Sequence, residues 1–390
     1  MQDMDFALSQ EHAAFRDTVR RWVDAEMPKS LARELERDEG HYPFELWDKF
    51  TEAGFHGLGI DEEYGGLGGD VLMQAIFARE VSRSLAGLLL VWMPTSFAGA
   101  KSIGVYGTPE QKRDFLPRIA AGDCRVSIGF TEPGGGTDVL GALKTFAERT
   151  EGGWIINGEK TWCTGAHVAD YILLLARTNK DVEKRHHGVT LFFLPAKSPG
   201  VSTSLLPKLG MRSIGSCSVT LQDVFVPDNL VLGEPGNAWY MLLPTLNNER
   251  ILVGAQCLGT IDAVLEDAVD YAKTRKAFGR PIGQFQAIQH YIADIATWQQ
   301  QTELMLYYTA WLQTNNMPCG QQANMLKMMA SEAVGRAADL GIQILGGMGY
   351  SAETDMQRYW RDHRILRISP ISNEMVRNSI AESLGLPRSF

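Results

Sequence analysis

Hydrophobic positions divide the chain into three textures. In the first third they recur at helical spacing. Phe15, Val19, Trp22 and Val23 follow Ser9, a residue suited to capping a helix N-terminus, and Pro28 closes the run. A second helix is predicted from Pro43 through Phe44, Trp47 and Phe50, ending near Gly54. The glycines of EEYGGLGGD mark a turn-rich loop, after which MQAIFAREVSRSLAG resumes the helical period.

Near Asp123 the texture changes. IGFTEP, TFAERT, GGWIINGEK, YILLLA, VTLFFLP and SVTLQDVFVP are short runs rich in β-branched and aromatic residues, which predicts strands. Asn157-Gly158 predicts a hairpin turn. From about Pro244 the helical period returns. Ile251, Ala255, Leu258, Ile261, Leu265, Ala268 and Ala272 form one stripe. Ile288, Ile292 and Ile295 begin a second, and a third runs from about Gln321 to Leu345 and stops at Gly346-Gly347. Long helices with short connections predict an antiparallel bundle. The expected architecture is mostly α with a central β domain: an N-terminal helical domain (1–122), a middle β-barrel or sandwich (123–235) and a C-terminal helical bundle (236–390).

Composition narrows the function classes. The chain has 390 residues, a net charge of −9 and 45% hydrophobic content, an ordinary globular balance. Acidic charge without any Lys/Arg run argues against nucleic acid as a partner. The longest apolar runs, such as Tyr171–Ala176, are too short to span a bilayer. The start, MQDMDFALSQEH, carries acids and no apolar core, so it reads as mature protein. Cys124, Cys163, Cys217, Cys257 and Cys319 are scattered without C-x-x-C spacing, which predicts reduced thiols in the cytoplasm and no metal cluster.

Four short stretches carry candidate chemistry. In TEPGGGTD, residues 131–138, the glycines allow close backbone approach, and Thr131 and Thr137 add hydroxyls suited to a phosphate or a polar ring edge; a plain Gly-rich loop has the same composition. In NGEKTWCTGA, Trp162 and Thr164 share one face of a strand, although a strand Trp is commonly core. In TRKAFGRPIGQFQAIQ, Arg275 can pair with a phosphate, or simply sit at a helix C-terminus. QILGGMGY ends a helix with more glycines than a simple stop requires.

Together with KLGMRS at 208–213 and WRDHR, these stretches give the whole chain a resemblance to the acyl-CoA dehydrogenases. The resemblance implies FAD as cofactor, an acyl-CoA substrate, a homotetramer with each FAD at a subunit interface, and an electron-transfer flavoprotein as electron acceptor. It places Phe130, Thr131, Gly136 and Thr137 along the flavin and its ribityl-pyrophosphate, and Trp162 and Thr164 beside the ring, with Thr164 near N5. Arg275, Phe278, Gln286, Gln343, Gly346 and Gly347 would reach the FAD of a neighbouring subunit. Ser372 and Glu374 complete the cofactor set, and Thr137, Asn247 and Arg250 the substrate set.

The implied reaction removes the α-proton of a thioester with a carboxylate while the β-hydrogen leaves as hydride to flavin N5. The family usually supplies its Glu from the loop after the Arg-Asp pair. An ungapped match from Arg361-Asp362 puts that position on Pro370, which has neither a carboxylate nor a backbone N–H. Members typified by isovaleryl-CoA dehydrogenase carry the Glu on the first bundle helix instead, and here Glu249 followed by Arg250 occupies that place. Read without the resemblance, Glu249 is a solvated acid in the first turn of a helix. The loop also has Ile371, Ser372, Asn373 and Glu374 where the family pattern is G-T-S-E; Ser372 is expected to cap a helix with Glu374 in its first turn. The altered loop leaves room for alternatives: an enoyl-CoA reductase resembling crotonobetainyl-CoA reductase, an acyl-CoA oxidase, or a low-activity subunit of a hetero-oligomer. His363 and Arg364 are expected in an interfacial salt network, and His186-His187 in a polar loop that makes a poor metal site. LAGLLLVWMP suits either an acyl pocket or core.

Overall fold

The computed structural model describes residues 7–37, 40 and 42–388. The N-terminal part holds α1 (Gln10–Glu26), α2 (Lys29–Leu35), α3 (Phe44–Glu52), α4 (Val71–Leu85), α5 (Ala100–Tyr106) and α6 (Pro109–Ala120). Local chemistry sets their starts. Ser9 accepts the His12 N–H at 3.2 Å, and Thr108 and Gln111 form a reciprocal capping box at the head of α6. Between α4 and α5 the chain is irregular, with a 3₁₀ stretch over Ala86–Val91 and a π-helical one over Met93–Gly99.

The strands are β1 (Val126–Gly129), β2 (Phe146–Thr150), β3 (Gly153–Thr164), β4 (Tyr171–Arg177), β5 (Val189–Pro195), β6 (Val201–Leu205), β7 (Ser216–Pro227) and β8 (Val231–Leu232). Their order is β6-β7-β3-β2-β4-β5-β8, with β1 parallel to β4. Asn157-Gly158 is not the predicted turn. It lies within β3 at a register shift against β7, and the β2–β3 turn is Glu151-Gly152, with Gly152 at φ 70°. The Asn157 amide pairs across to Asp223, and any Cβ on Gly158 would strike Thr145 at 2.4 Å. The pair therefore serves a bulge and a close crossing. The edge strand β6 escapes sequence reading because its Ser-Thr-Ser side chains are exposed.

Beyond the sheet, α7 is one helix over Ala238–Thr274, starting six residues before Pro244. A small hairpin follows, β9 (Lys276–Ala277) and β10 (Arg280–Pro281), then α8 (Gln286–Thr314), α9 (Gly320–Leu345), α10 (Gly347–Tyr350), α11 (Met356–His363) and α12 (Asn373–Ser383). Ser372 caps α12 by accepting the Met375 N–H. The N-terminal helices and the bundle share one hydrophobic core, while separate clusters fill the two faces of the sheet. Partly buried ion pairs tie α4 to its neighbours: Arg79 reaches Asp262 at 2.8 Å and Glu303 at 2.6 Å, and Glu80 holds Arg20 at 2.8 Å. Among the described residues, no single helix is long and apolar enough to cross a membrane. His363 is not in a salt network. It is buried, its Nδ1 faces the Tyr359 carbonyl at 2.9 Å, and burial pushes its pKa down to about 4, so it is neutral.

One buried pair anchors the Gly-rich loop to the sheet. Lys160 on β3 donates to Glu132 at 2.9 Å, and Glu132 also accepts the backbone N–H groups of Lys144 and Thr145. Lys160→Met leaves the Glu132 carboxylate buried with its cation gone, so it should cost about 3 kcal/mol or more in urea unfolding. A cost within measurement error would show that the pair does not hold this loop.

Candidate active site

The sequence-predicted cofactor residues are spread over separate places, one group on the sheet and one at the far end of α7, with Asn247, Glu249 and Arg250 in the first part of α7 and Ser372 and Glu374 at the head of α12. The first group sits where β1 and β3 meet. The Thr131 carbonyl accepts the Thr161 N–H at 2.9 Å, the Phe130 carbonyl accepts from Lys160 at 3.3 Å, and Ser127 Oγ donates to the Thr164 carbonyl at 2.8 Å. These bonds bring Phe130, Thr131 and Thr164 together. A register shift between Lys160 and Cys163 puts Trp162 in the left-handed region at φ 60° and leaves its indole 55% exposed. A non-glycine residue is held there only when its surroundings demand it, and the bulge turns the indole out of the sheet. Gly136 and Thr137 are exposed on the neighbouring loop, and a Cβ on Gly136 would meet nothing within 4 Å.

These features fit a flavin: an uncovered aromatic face, hydroxyls at the ring edge, and a glycine loop with free space before it. Phe130, Thr131, Gly136, Thr137, Trp162 and Thr164 would hold it. The cradle rests on Glu132 and Lys160, which sequence reasoning missed. Their signal was a buried-strand Lys in GEKTW and an acid beside a glycine run, neither informative until the two are seen paired.

The second group lies at the far end of α7. Arg275 caps that helix, Phe278 tops the β9–β10 turn at φ 51° with 95% exposure, and Gln286 opens α8. α9 runs parallel to α7, with α8 returning between them. Gly320 lies beside Asn247, Gly254 packs on Leu326, and Gly341 packs on Val264. Gln343, Gly346 and Gly347, at the end of α9, therefore lie toward the Arg275 end, all exposed. Glu249 and Arg275 are 26 residues apart on one continuous helix, roughly 39 Å. One chain cannot bring both to a single flavin.

Glu249 is the twelfth residue of α7, so it is not the solvated first-turn acid that its sequence allowed. It is half-buried, and burial pushes its pKa up to about 7 against the opposing pull of Arg250. Arg250 is turned aside: its Nη1 donates to Asn247 at 3.1 Å, and its Nε is sealed without a partner. The neighbouring Asn248 is buried, with its Oδ1 also unpartnered.

Pro370 sits in the exposed loop before α12. Lys327, buried on α9, grips this loop from beneath. Its Nζ donates to the Ile371 carbonyl at 2.5 Å and to Asn373 Oδ1 at 2.7 Å, and Ser331 joins through Asn373. Burial lowers the Lys327 pKa to about 8. A lysine on the apolar stripe of α9, between Leu326 and Ala330, was the readable clue. Ser372 spends its acceptor on α12 and Glu374 is exposed in the first turn. All five cysteines are free and buried. The imidazole of His186 lies 2.6 Å from the Tyr240 hydroxyl.

Three domain models of acyl-CoA dehydrogenase match the chain: the N-terminal domain over 9–123, the middle domain over 127–224 and the C-terminal domain over 236–385. A probable acyl-CoA dehydrogenase, YngJ of Bacillus subtilis (strain 168), is 34% identical over 98% of this chain and 100% of its own. A 3-(aryl)acrylate reductase of Clostridium sporogenes (strain ATCC 15579) is 34% identical over 96% and 99%. The solved structure of butyryl-CoA dehydrogenase from Megasphaera elsdenii superposes with a TM-score of 0.91 at 31% identity, covering 98% of this chain and 100% of that one.

The raised pKa of Glu249 has a consequence for stability. The folded carboxyl keeps its proton up to about 7, whereas an unfolded Glu releases it near 4.5. The folded state thus binds more protons in that window, and stability falls as pH rises through it. Glu249→Gln should raise Tm by a few degrees at about pH 8 and leave it unchanged near pH 4. A Tm difference independent of pH would show that the Glu249 carboxyl is not desolvated.

Proposed function

The chain belongs to the acyl-CoA dehydrogenase family, and from that premise we propose that Glu249 is the base that takes the α-proton of an acyl-CoA thioester. The protein is an oxidoreductase acting on CH–CH groups with FAD as its cofactor. The bound flavin supplies the hydride acceptor for the β-hydrogen. The observation that carries the assignment is a half-buried carboxylate with its pKa raised to about 7, on the bundle helix, while the usual loop position is a proline. A desolvated carboxylate is a stronger base than an exposed one, and at neutral pH a large fraction is still ionised. Thr164 and Trp162 orient the ring, and the sealed Arg250 favours the charged form of Glu249 between turnovers.

The thioester carbonyl lacks one donor. Pro370 has no N–H, and the loop carbonyl beside it is committed to Lys327. Lys327 therefore keeps the loop in place but does not supply the missing hydrogen bond through the backbone. An absent oxyanion donor costs on the order of a hundredfold in rate.

In this reading the protein is a homo-oligomer, tetrameric by family analogy, because Arg275, Phe278, Gln286, Gln343, Gly346 and Gly347 lie too far from Glu249 to serve the same flavin. The electrons leave to an electron-transfer flavoprotein, and the location is cytoplasmic. The named reductase among its relatives and the proline loop favour one second reading, reduction of an enoyl thioester by the same groups in reverse.

Anaerobic mixing with an acyl-CoA should bleach the flavin. Glu249→Gln should abolish bleaching with FAD still bound; undiminished bleaching in that variant removes Glu249 as the base. Pro370→Ala restores a backbone N–H and should speed flavin reduction tenfold or more, up to about a hundredfold. An unchanged rate would mean that the carbonyl is gripped elsewhere.

A further inference from the structure

The irregular chain between α4 and α5 does more than fill space. Leu85, Leu88, Leu89, Val91 and Trp92 are buried in the core that the N-terminal helices share with the bundle, so this apolar stretch is core. The turns that follow, Met93–Gly99, widen into a π-helix, a rare form found mostly at functional sites. Thr95 accepts the Val126 N–H at 2.8 Å and donates its own proton to the Val126 carbonyl at 3.2 Å. One hydroxyl thus satisfies both backbone groups of the first residue of β1. On its other side β1 is held by β4, where the Arg125 carbonyl accepts the Tyr171 N–H at 3.1 Å. Gly99 packs so tightly here that an added Cβ would stand 3.0 Å from Val126.

The π-helix is itself tied down. His56 Nδ1 lies 2.8 Å from the Ser96 hydroxyl, and its Nε2 faces the Trp47 carbonyl at 3.3 Å. A carbonyl only accepts, so Nε2 carries the proton and Nδ1 accepts from Ser96. Burial pushes the His56 pKa down to about 4, which keeps this neutral form. Trp47 donates in turn to the Gly122 carbonyl at 3.1 Å. At the other end, the buried Ser127 donates to the Thr164 carbonyl at 2.8 Å. A continuous path therefore runs from α3 through His56, Ser96 and Thr95 to Val126, and from Ser127 to Thr164. It reaches β3 just past the register shift between Lys160 and Cys163, where the ladder to β7 is interrupted and controls the strand end less.

We propose that the π-helical segment is the positioning element for the hydroxyl at the flavin edge, with Thr95 and Ser127 as positioning residues for Thr164. The proposal rests on the reading of Thr164 as beside the flavin. Groups that orient reacting partners act within narrow limits, and a displacement of about 1 Å costs on the order of a hundredfold in rate. Thr95 fixes the first residue of β1, and Ser127, the next one, passes that placement to the backbone of Thr164.

The test compares FAD-loaded Thr95→Val, Thr95→Ser and Ser127→Ala with the parent enzyme. The readouts are the visible spectrum of the bound flavin, its midpoint potential in dye-coupled reduction, and flavin reduction by the straight-chain acyl-CoA that bleaches the parent fastest. Thr95→Val and Ser127→Ala should both shift the spectrum and the potential, in the same direction. They should slow flavin reduction about tenfold at saturating thioester and leave the Kd for that thioester within about twofold. Thr95→Ser, which keeps the hydroxyl, should return all values to those of the parent. The Thr95→Val/Ser127→Ala double variant should be little worse than the worse single one, because both lie on one path. A lower Tm with an unchanged spectrum and potential would make these bonds merely structural and overturn the proposal, as would Thr95→Ser behaving like Thr95→Val. Should Thr95→Val fail to fold, Ser127→Ala decides by the same readouts. Thr164→Val separates this from the underlying reading. An unchanged flavin spectrum there would remove Thr164 from the flavin, whereas a shift there with none in Ser127→Ala would sink the positioning role alone.

Discussion

The unbroken length of α7 governs how this protein must work. A helix of 37 residues is about 55 Å long, and it carries the candidate base near one end and the Arg275 turn at the other. No side chain bridges such a distance. The two ends therefore cannot meet at one flavin, and at the Arg275 end Phe278 stands almost fully exposed. The shared core of the N-terminal helices and the bundle packs α7 in place, with Arg79 of α4 joined to Asp262 of α7 and Glu80 of α4 to Arg20 of α1.

Around the first site, buried charges are handled in three distinct ways. Lys160 meets a carboxylate, and the pair fixes a loop that would otherwise be loose glycine. Lys327 meets only carbonyl-type oxygens, so its charge is weakly held and its pKa falls, yet its two bonds pin the loop around Pro370. Arg125 meets the faces of Phe44 and Trp47, with its Nε sealed from solvent and unpartnered. The first arrangement anchors a loop to the sheet, the second pins a loop, and the third packs a guanidinium between α3 and the sheet. Glu249 follows the same physics with opposite sign: burial makes its anion costly and so raises its basicity.

The misreadings share one cause. Asn157-Gly158 has the chemistry of a turn, but the partner strand β7 continues past it, so the same glycine freedom is spent on a bulge. His363 follows a charged motif, yet packing beneath α11 seals it and keeps it neutral. Glu249 looked like a helix-start acid because the helix starts well before the apolar stripe does. In each case a local signal was right about the residue's capability and silent about its surroundings.

Periodicity, caps and turn residues determined by themselves the helical, β, helical order, because each depends on groups near in sequence, whereas the flavin chemistry and the carboxylate and donor missing at Pro370 followed from the resemblance to the acyl-CoA dehydrogenases. Only the tertiary structure decided that Glu132 and Lys160 pair, that Lys327 grips the Pro370 loop, that Glu249 is desolvated, and that Arg125 lies over the rings of Phe44 and Trp47. Those facts are electrostatic, and the energy of a charge is set by what surrounds it in space, which in this chain comes from segments as far apart as β1, α3 and α9.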